Sequence, residues 1–353
     1  MGGNTDYGRK IDIMRREALR KLLIELPEIC YDFMVSIEPR TSILTRLNYA
    51  YDFKIFFSYL SESKFNKKNT ADISVDDISN ITARDIEMFL EYLSYYTMNG
   101  KERTNNNSGK KRKLCSVRSL FKYLYKHQYI KNDVTSLVGT PKIPEKPILK
   151  MDYTEVRKLF HNLDSGEKLT PREKAFQKYT LQRDKTIMIL LLGTGIRISE
   201  CVGLNINDID FEKASFIITR KGGNKALLYL PAEVMEELEN YMEIRKHRKT
   251  EPGHENALFL SMQNSRITAR AVQNMVKKYA GRSIPLKNIT PHKFRSTYGT
   301  NLYNTTGDIY LVADVLGHKD VNTTKRHYAA INEEKRRIAA QVTEILGNDD
   351  DEQ

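Results

Sequence analysis

The sequence has no tryptophan and only three cysteines in 353 residues. Cys30, Cys115 and Cys201 lie far apart, without the spacing of a metal site, and an odd number excludes a fully paired disulfide framework. They are expected to be reduced thiols, mostly buried. No segment approaches the ~18 consecutive apolar residues that a membrane-spanning helix needs. The opening stretch, MGGNTDYGRKIDIMRREALR, is charged and lacks the apolar centre of a secretory leader. A cytoplasmic location is the expectation. There is also no carboxylate cluster suited to holding a metal ion.

Hydrophobic residues make up 40% of the chain, enough for a real core, and the length suits two domains better than one. The formal net charge is +12. Residues 1–150 contribute most of that excess, with 26 lysines and arginines against 18 acids. Such a balance fits a polyanionic partner such as DNA. The first third has helical periodicity. Over 42–63, Ile43, Leu47, Tyr51, Ile55 and Leu60 recur near a period of 3.6. Over 82–97, Thr82 stands as N-cap before a stripe of Ile86, Phe89, Leu90 and Leu93. A polar loop, NGKERTNNNSGKKRK, precedes a further helix over about 108–128. Four or five such helices predict a small bundle over 1–131. Lys110, Lys111, Arg112 and Lys113 wind around the start of its last helix, where several could meet phosphates.

Three prolines within seven residues mark a connector over 132–150. A second domain is expected over 151–347, followed by an acidic tail at 348–353. In it Thr154 is expected to cap a helix, a polar insert to run from Asp164 to Gln182, and an apolar helix to follow at about 181–192. SFIITR (215–220) and ALLYL (226–230) predict two strands joined by a hairpin turn. Helices are expected from there to about 346, the last of them an amphipathic one over 331–346.

Five short segments of this domain bear chemistry. Gly193–Glu200 reads GTGIRISE and presents Arg197 after a glycine turn. Arg220–Lys225 reads RKGGNK at the hairpin turn. Thr290–Arg295 reads TPHKFR, with Thr290 as N-cap, Pro291 as first helical residue, and His292 and Arg295 on one face near a helix end that favours anions. Leu316-Gly317-His318 places Gly317 at a helix C-terminus. Thr323–Tyr328 reads TTKRHY. Each segment alone has an ordinary structural explanation: an Arg197–Glu200 pair at i, i+3, exposed turn lysines, a capped helix facing solvent, a polar residue after a C-cap, one tyrosine among 20.

Taken in order, these segments resemble the tyrosine recombinase family of phage integrases and Xer recombinases, over about residues 150–345. The fold this implies is mainly α: an N-terminal helical core-binding bundle of SAM-like type and an α+β catalytic domain with a small antiparallel sheet. The resemblance implies Arg197 and Arg295 as the phosphate-binding arginines, Lys221 as the hairpin lysine, His292 and His318 as the two histidine positions and Tyr328 as the nucleophile. Lys225 stays open as the alternative lysine, because the hairpin has two glycines where one is common. Phe294 stands where the motif usually has leucine. Tyr298 and His327 fit the nucleophile position less well than Tyr328. The implied activity is site-specific cutting and rejoining of DNA through a 3′-phosphotyrosine, with no metal, ATP or other cofactor. The implied partners are double-stranded recombination sites, a homotetramer on DNA, and an accessory DNA-bending or directionality protein, without a membrane; when acting, the chain would sit at the nucleoid. Delivery of Tyr328 within one protomer or between protomers is left open, as are the target sequence and an integrase or resolvase role. The alternatives are a type IB topoisomerase-like relaxation enzyme and a non-catalytic DNA-binding relative.

Overall fold

The computed structural model describes residues 6–67, 69–144, 149–220, 223–318, 320–322 and 324. The described residues form two compact units, one up to residue 144 and the other from residue 149 on. Among the described residues no helix is long and apolar enough to cross a membrane.

The first unit is built from α1 (Asp6–Ile24), α2 (Ile29–Ser36), α3 (Ile43–Leu60), α4 (Val75–Ser79), α5 (Ala83–Tyr92) and α6 (Asn107–Lys126). Local chemistry sets where several of them begin. Ser42 accepts from the Thr45 N–H at the start of α3, and Asn106 accepts from Gly109 at the start of α6. Ser74 with Asp77, and Thr82 with Asp85, form reciprocal capping boxes at α4 and α5. α1 and α6 pack on α3, whose Phe53, Phe56 and Phe57 are fully buried. Phe56 meets Phe57 and Phe89 edge-on, with ring centroids 5.2 and 5.0 Å apart, the arrangement aromatic quadrupoles favour.

α5 stops at Tyr92, short of the expected residue 97. The chain instead turns into a hairpin, with β1 (Tyr96–Met98) pairing antiparallel to β2 (Lys101–Arg103). Asn99 and Gly100 carry it at φ +53° and +68°, the left-handed pair of a tight two-residue turn. Part of the expected connector also belongs to this unit. Val134–Leu137 forms a 3-10 turn, Thr135 and Val138 are buried, and Arg118 donates to the carbonyl of Val138 at 2.6 Å and to the Thr140 hydroxyl at 2.8 Å.

The second unit runs α7 (Tyr153–Ser165), α8 (Pro171–Thr194), α9 (Ile198–Gly203), β3 (Ile209–Asp210), β4 (Ser215–Thr219), β5 (Lys225–Tyr229), α10 (Ala232–Lys246), α11 (Ala269–Ser283), α12 (Pro291–Thr306) and α13 (Ile309–Leu316). Asp152, rather than Thr154, is the N-cap of α7, in a capping box with Glu155. The strands form one antiparallel sheet in the order β3-β4-β5. Phe216 faces Leu228 across it and turns to the core, while the neighbouring Ile217–Leu227 pair is exposed, as the two-residue period requires.

The expected polar insert before the apolar helix is largely helix: α8 is continuous for 24 residues, opened by Thr170, Pro171 and Glu173. The buried positions of its first half are polar. Gln177 donates to the Leu163 carbonyl at 2.6 Å, and Arg183 places its fork on Asp184 and donates to the Leu260 carbonyl at 2.8 Å. Inward polar residues hide the apolar stripe from a reading of periodicity.

Phe56→Ala should lower the unfolding free energy of the first unit by about 3–5 kcal/mol, the usual cost of emptying a buried aromatic site. Urea titration checks this, and a loss below about 1 kcal/mol would contradict the packing described.

Candidate active site

α8 ends at Thr194, and Gly195 follows at φ +63°. A Cβ at that position would overlap the Tyr298 ring of α12, so both the dihedral and the space demand glycine. The turn delivers Arg197 to the N-cap of α9. Glu200 is only 5% exposed and anchors it twice, accepting from the Arg197 backbone N–H at 2.7 Å and from its Nη1 at 2.9 Å. A buried carboxylate held in this way fixes the guanidinium direction. The i, i+3 pair is thus a support for Arg197, whose side chain remains about one-third exposed (34%).

α12 starts with Thr290 as N-cap and Pro291 in its first turn, with no side-chain bond from the cap. Arg295 lies one turn in and is 3% exposed. It donates from Nη1 to the Gly195 carbonyl at 2.7 Å and from Nη2 to the Leu316 carbonyl. His292 is exposed at the first turn of the same helix.

The third element is the end of α13. Gly317 caps it at φ +62°, as expected from the sequence. The last carbonyls of a helix lack intrahelical partners and form its negative pole. Here arginines from three different segments take them. Arg220, at the end of β4, donates to the carbonyls of Asp314 and Val315, both at 3.0 Å. Arg295 takes Leu316, and Arg197 donates from Nη2 to Gly317 at 3.0 Å. The next residue is His318, whose Nδ1 lies 2.7 Å from the hydroxyl of Thr324, a fully buried side chain.

Four of the six expected catalytic residues, Arg197, His292, Arg295 and His318, lie in the described residues. Arg197, Arg295 and His318 converge on the end of α13, and His292 stands one turn from Arg295 on α12. Lys221 and Tyr328 lie outside the described residues. Lys225 opens β5, exposed and paired with Thr219. Sequence reasoning assigned no role to Arg220, because a turn arginine beside a turn lysine carries no distinguishing signal. A guanidinium has five directional donors, and the bonds described for Arg197 use only two of them. The arrangement can therefore receive an oxyanion with forked hydrogen bonds. Among the described residues no group of three or more His, Cys, Asp or Glu is placed to hold a metal ion.

The basic run at the start of α6 lies in the other unit and divides by environment. Lys113 is 4% exposed and donates to Asn105 Oδ1 at 2.8 Å; burial pulls its pKa below the ordinary lysine value. Lys110 donates to the Ser94 hydroxyl at 2.6 Å. Arg112 is anchored 2.5 Å from the buried carboxylate of Asp52, while Lys111 is exposed. Asp52 is held above the usual carboxylate range by burial, against the bonds from Ser116 and Arg112.

Comparison with known proteins places these segments in context. The model of the phage integrase family matches residues 150–335, which span the motif segments. The chain is 30% identical to the tyrosine recombinase XerS of Streptococcus uberis over 357 aligned residues, covering 92% of this chain and 98% of that one. It is 31% identical to XerS of Streptococcus agalactiae with the same coverage. Among solved structures it is similar in fold to XerH site-specific recombinase bound to a palindromic difH substrate in a post-cleavage complex. The TM-score is 0.63 at 21% identity, covering 85% of this chain and 80% of that one. A lambda integrase dimer bound to a COC′ core site gives a TM-score of 0.61 at 15% identity, covering 85% and 76%.

Gly195→Ala should destabilise the second unit by about 1–3 kcal/mol, because alanine must adopt a positive φ and displace Tyr298. Thermal unfolding checks this, and an unchanged transition would contradict the account of the turn.

Proposed function

We propose, from the premise that this chain belongs to the phage integrase family of tyrosine recombinases, that it is a site-specific DNA recombinase with Tyr328 as nucleophile. The observation that carries the proposal is the meeting of Arg197 and Arg295 on the adjacent carbonyls of Gly317 and Leu316, directly before His318. Two guanidiniums held side by side match two nonbridging oxygens of one phosphodiester.

In the proposed reaction the Tyr328 oxygen attacks phosphorus and the bond from phosphorus to the 5′ oxygen breaks. A 3′-phosphotyrosine forms, and the 5′ oxygen leaves as a hydroxyl. Arg197 and Arg295 neutralise charge that grows on the nonbridging oxygens, where a preorganised donor contributes about 3 kcal/mol. His318 donates a hydrogen bond to the same oxygens. Lys221 gives the proton to the leaving oxygen, and His292 assists proton movement at the phenol or the phosphate. Glu200 keeps Arg197 aimed. Ligation runs the same path backwards when a 5′-hydroxyl attacks the phosphotyrosine, so the bond energy is retained and no ATP is consumed. Exchange between two sites requires two duplexes and four protomers. Double-stranded recombination sites, a homotetramer and an accessory DNA-bending or directionality protein are accordingly the proposed partners. Lys111 and Arg112 are proposed as phosphate contacts of the first unit, with Lys110 and Lys113 beside them at the same helix start.

Tyr328→Phe should abolish the covalent protein–DNA adduct while leaving DNA affinity within about threefold, since one hydroxyl contributes little to a phosphate-dominated interface. Denaturing gels and a binding titration measure the two. An undiminished adduct would exclude Tyr328, and relaxation of supercoils without strand exchange would favour a topoisomerase-like activity.

Affinity should also fall steeply with salt, with log K against log salt sloping by about −0.9 for every phosphate neutralised. A flat response would contradict phosphate-based binding.

A further inference from the structure

Arg220 is the one arginine at the end of α13 that the proposed chemistry leaves without a task. It directly follows β4, and Lys221 comes next in the chain. Around it the hairpin is open: Thr219, Gly223, Asn224 and Lys225 are all exposed. Yet its own head group is fixed. Both terminal nitrogens donate, to Asp314 and Val315 at 3.0 Å each, and Nε is buried with no acceptor among the described residues. Its backbone closes the turn as well, donating to the Asn224 carbonyl at 2.8 Å and accepting from Gly223 at 3.0 Å. The guanidinium rests against the α-carbon of Gly317, where a Cβ would overlap its Nη1, Cζ and Cδ.

Other arginines here also hold carbonyls. Arg183, Arg245 and Arg266 do so, but all three are buried and tie together segments within the core. Arg220 differs because it tethers a projecting hairpin. A two-stranded tip has no core of its own to fix it. The link runs to the same row of carbonyls that Arg197 and Arg295 occupy.

We infer that Arg220 is a positioning residue: it locks the base of the β4–β5 hairpin onto the C-terminal turn of α13, so that the turn lysine is delivered to the leaving 5′ oxygen. This rests on the proposed recombinase chemistry and on Lys221 as its proton donor. It also gives Gly317 a second reason to be glycine, because a side chain there would displace Arg220.

The test separates proton delivery from every other contribution. In an ordinary site, breaking the phosphorus–oxygen bond requires a proton on the leaving 5′ oxygen. In a site whose bridging 5′ oxygen is replaced by sulfur, the bond broken is phosphorus–sulfur and the thiolate leaves without one. Single-turnover cleavage is measured on both substrates for wild type, Arg220→Ala, Arg220→Lys and Lys221→Ala, with DNA affinity and thermal unfolding alongside. Arg220→Lys keeps the charge but replaces the planar two-nitrogen fork with a single point of donation, so it reports even where the alanine variant folds poorly. Arg220→Ala should cleave the ordinary site about a hundredfold more slowly, the size of effect expected from a misplaced catalytic group. On the sulfur substrate it should come within about threefold of wild type, because no general acid is required there. Arg220→Lys should show a smaller defect with the same rescue.

Wild-type cleavage of the ordinary site by both Arg220 variants would overturn the inference. A defect that sulfur does not relieve, in a variant set where Lys221→Ala is relieved, would overturn it as well and leave the proposed chemistry standing. If Lys221→Ala itself is not relieved, the lysine is not the proton donor, and that assignment falls together with this one.

Discussion

The carbonyls at the end of α13, where the helix runs out of its own backbone donors, organise the second unit around a charge problem. Four consecutive residues, Asp314 to Gly317, present oxygens at the negative pole of a short helix. Three guanidiniums, from the N-cap of α9, the residue after β4 and the first turns of α12, converge on them because each is drawn to that pole and each brings directional donors. Like charges would otherwise repel one another. The carbonyl row, with Glu200 behind Arg197, offsets that repulsion before any ligand arrives. Preorganisation of this kind lets a site meet growing negative charge without reorganising during the reaction.

The rest of the second unit can be read as what holds these groups in register. Gly195 and Gly317 are the two positive-φ turns that let α8 and α13 stop where arginines can reach them. Neither has room for a side chain, since Tyr298 and Leu316 crowd the first and Arg220 fills the space beside the second. The apolar half of α8, with Ile187, Met188, Leu190 and Leu191 buried, carries the first turn into the core. Rigid elements thus deliver side chains whose own contacts are polar and local.

Much of this was legible in the sequence because the signals are short-range. Thr82 marked the start of α5, and Thr290 with Pro291 that of α12. Gly317 marked the end of α13, and SFIITR and ALLYL marked two strands. The order of the segments bearing Arg197, His292, Arg295 and His318 was legible as a family resemblance, and the family match over residues 150–335 bears out the family. Features set by tertiary partners were not. The polar first half of α8 hides its helix because Gln177 and Arg183 point inward and find their acceptors in distant residues. Lys113 lies in a run of four basic residues, but only the fold shows that its ammonium is buried against Asn105. Arg220 is invisible for the same reason, its acceptors lying more than ninety residues further on. The Asn99-Gly100 hairpin is a different case, a local turn signal set in a polar stretch whose composition otherwise reads as loop.

The most direct measurement is a structure of the protein bound to a DNA duplex carrying its recombination site. One phosphate should lie within about 3 Å of nitrogens from both Arg197 and Arg295, at the end of α13. The phenol of Tyr328, from the same or a neighbouring copy, should stand opposite the 5′ oxygen of that phosphate. A phosphate seated away from the two arginines, or a Tyr328 enclosed in apolar surroundings with no path to them, would contradict the account.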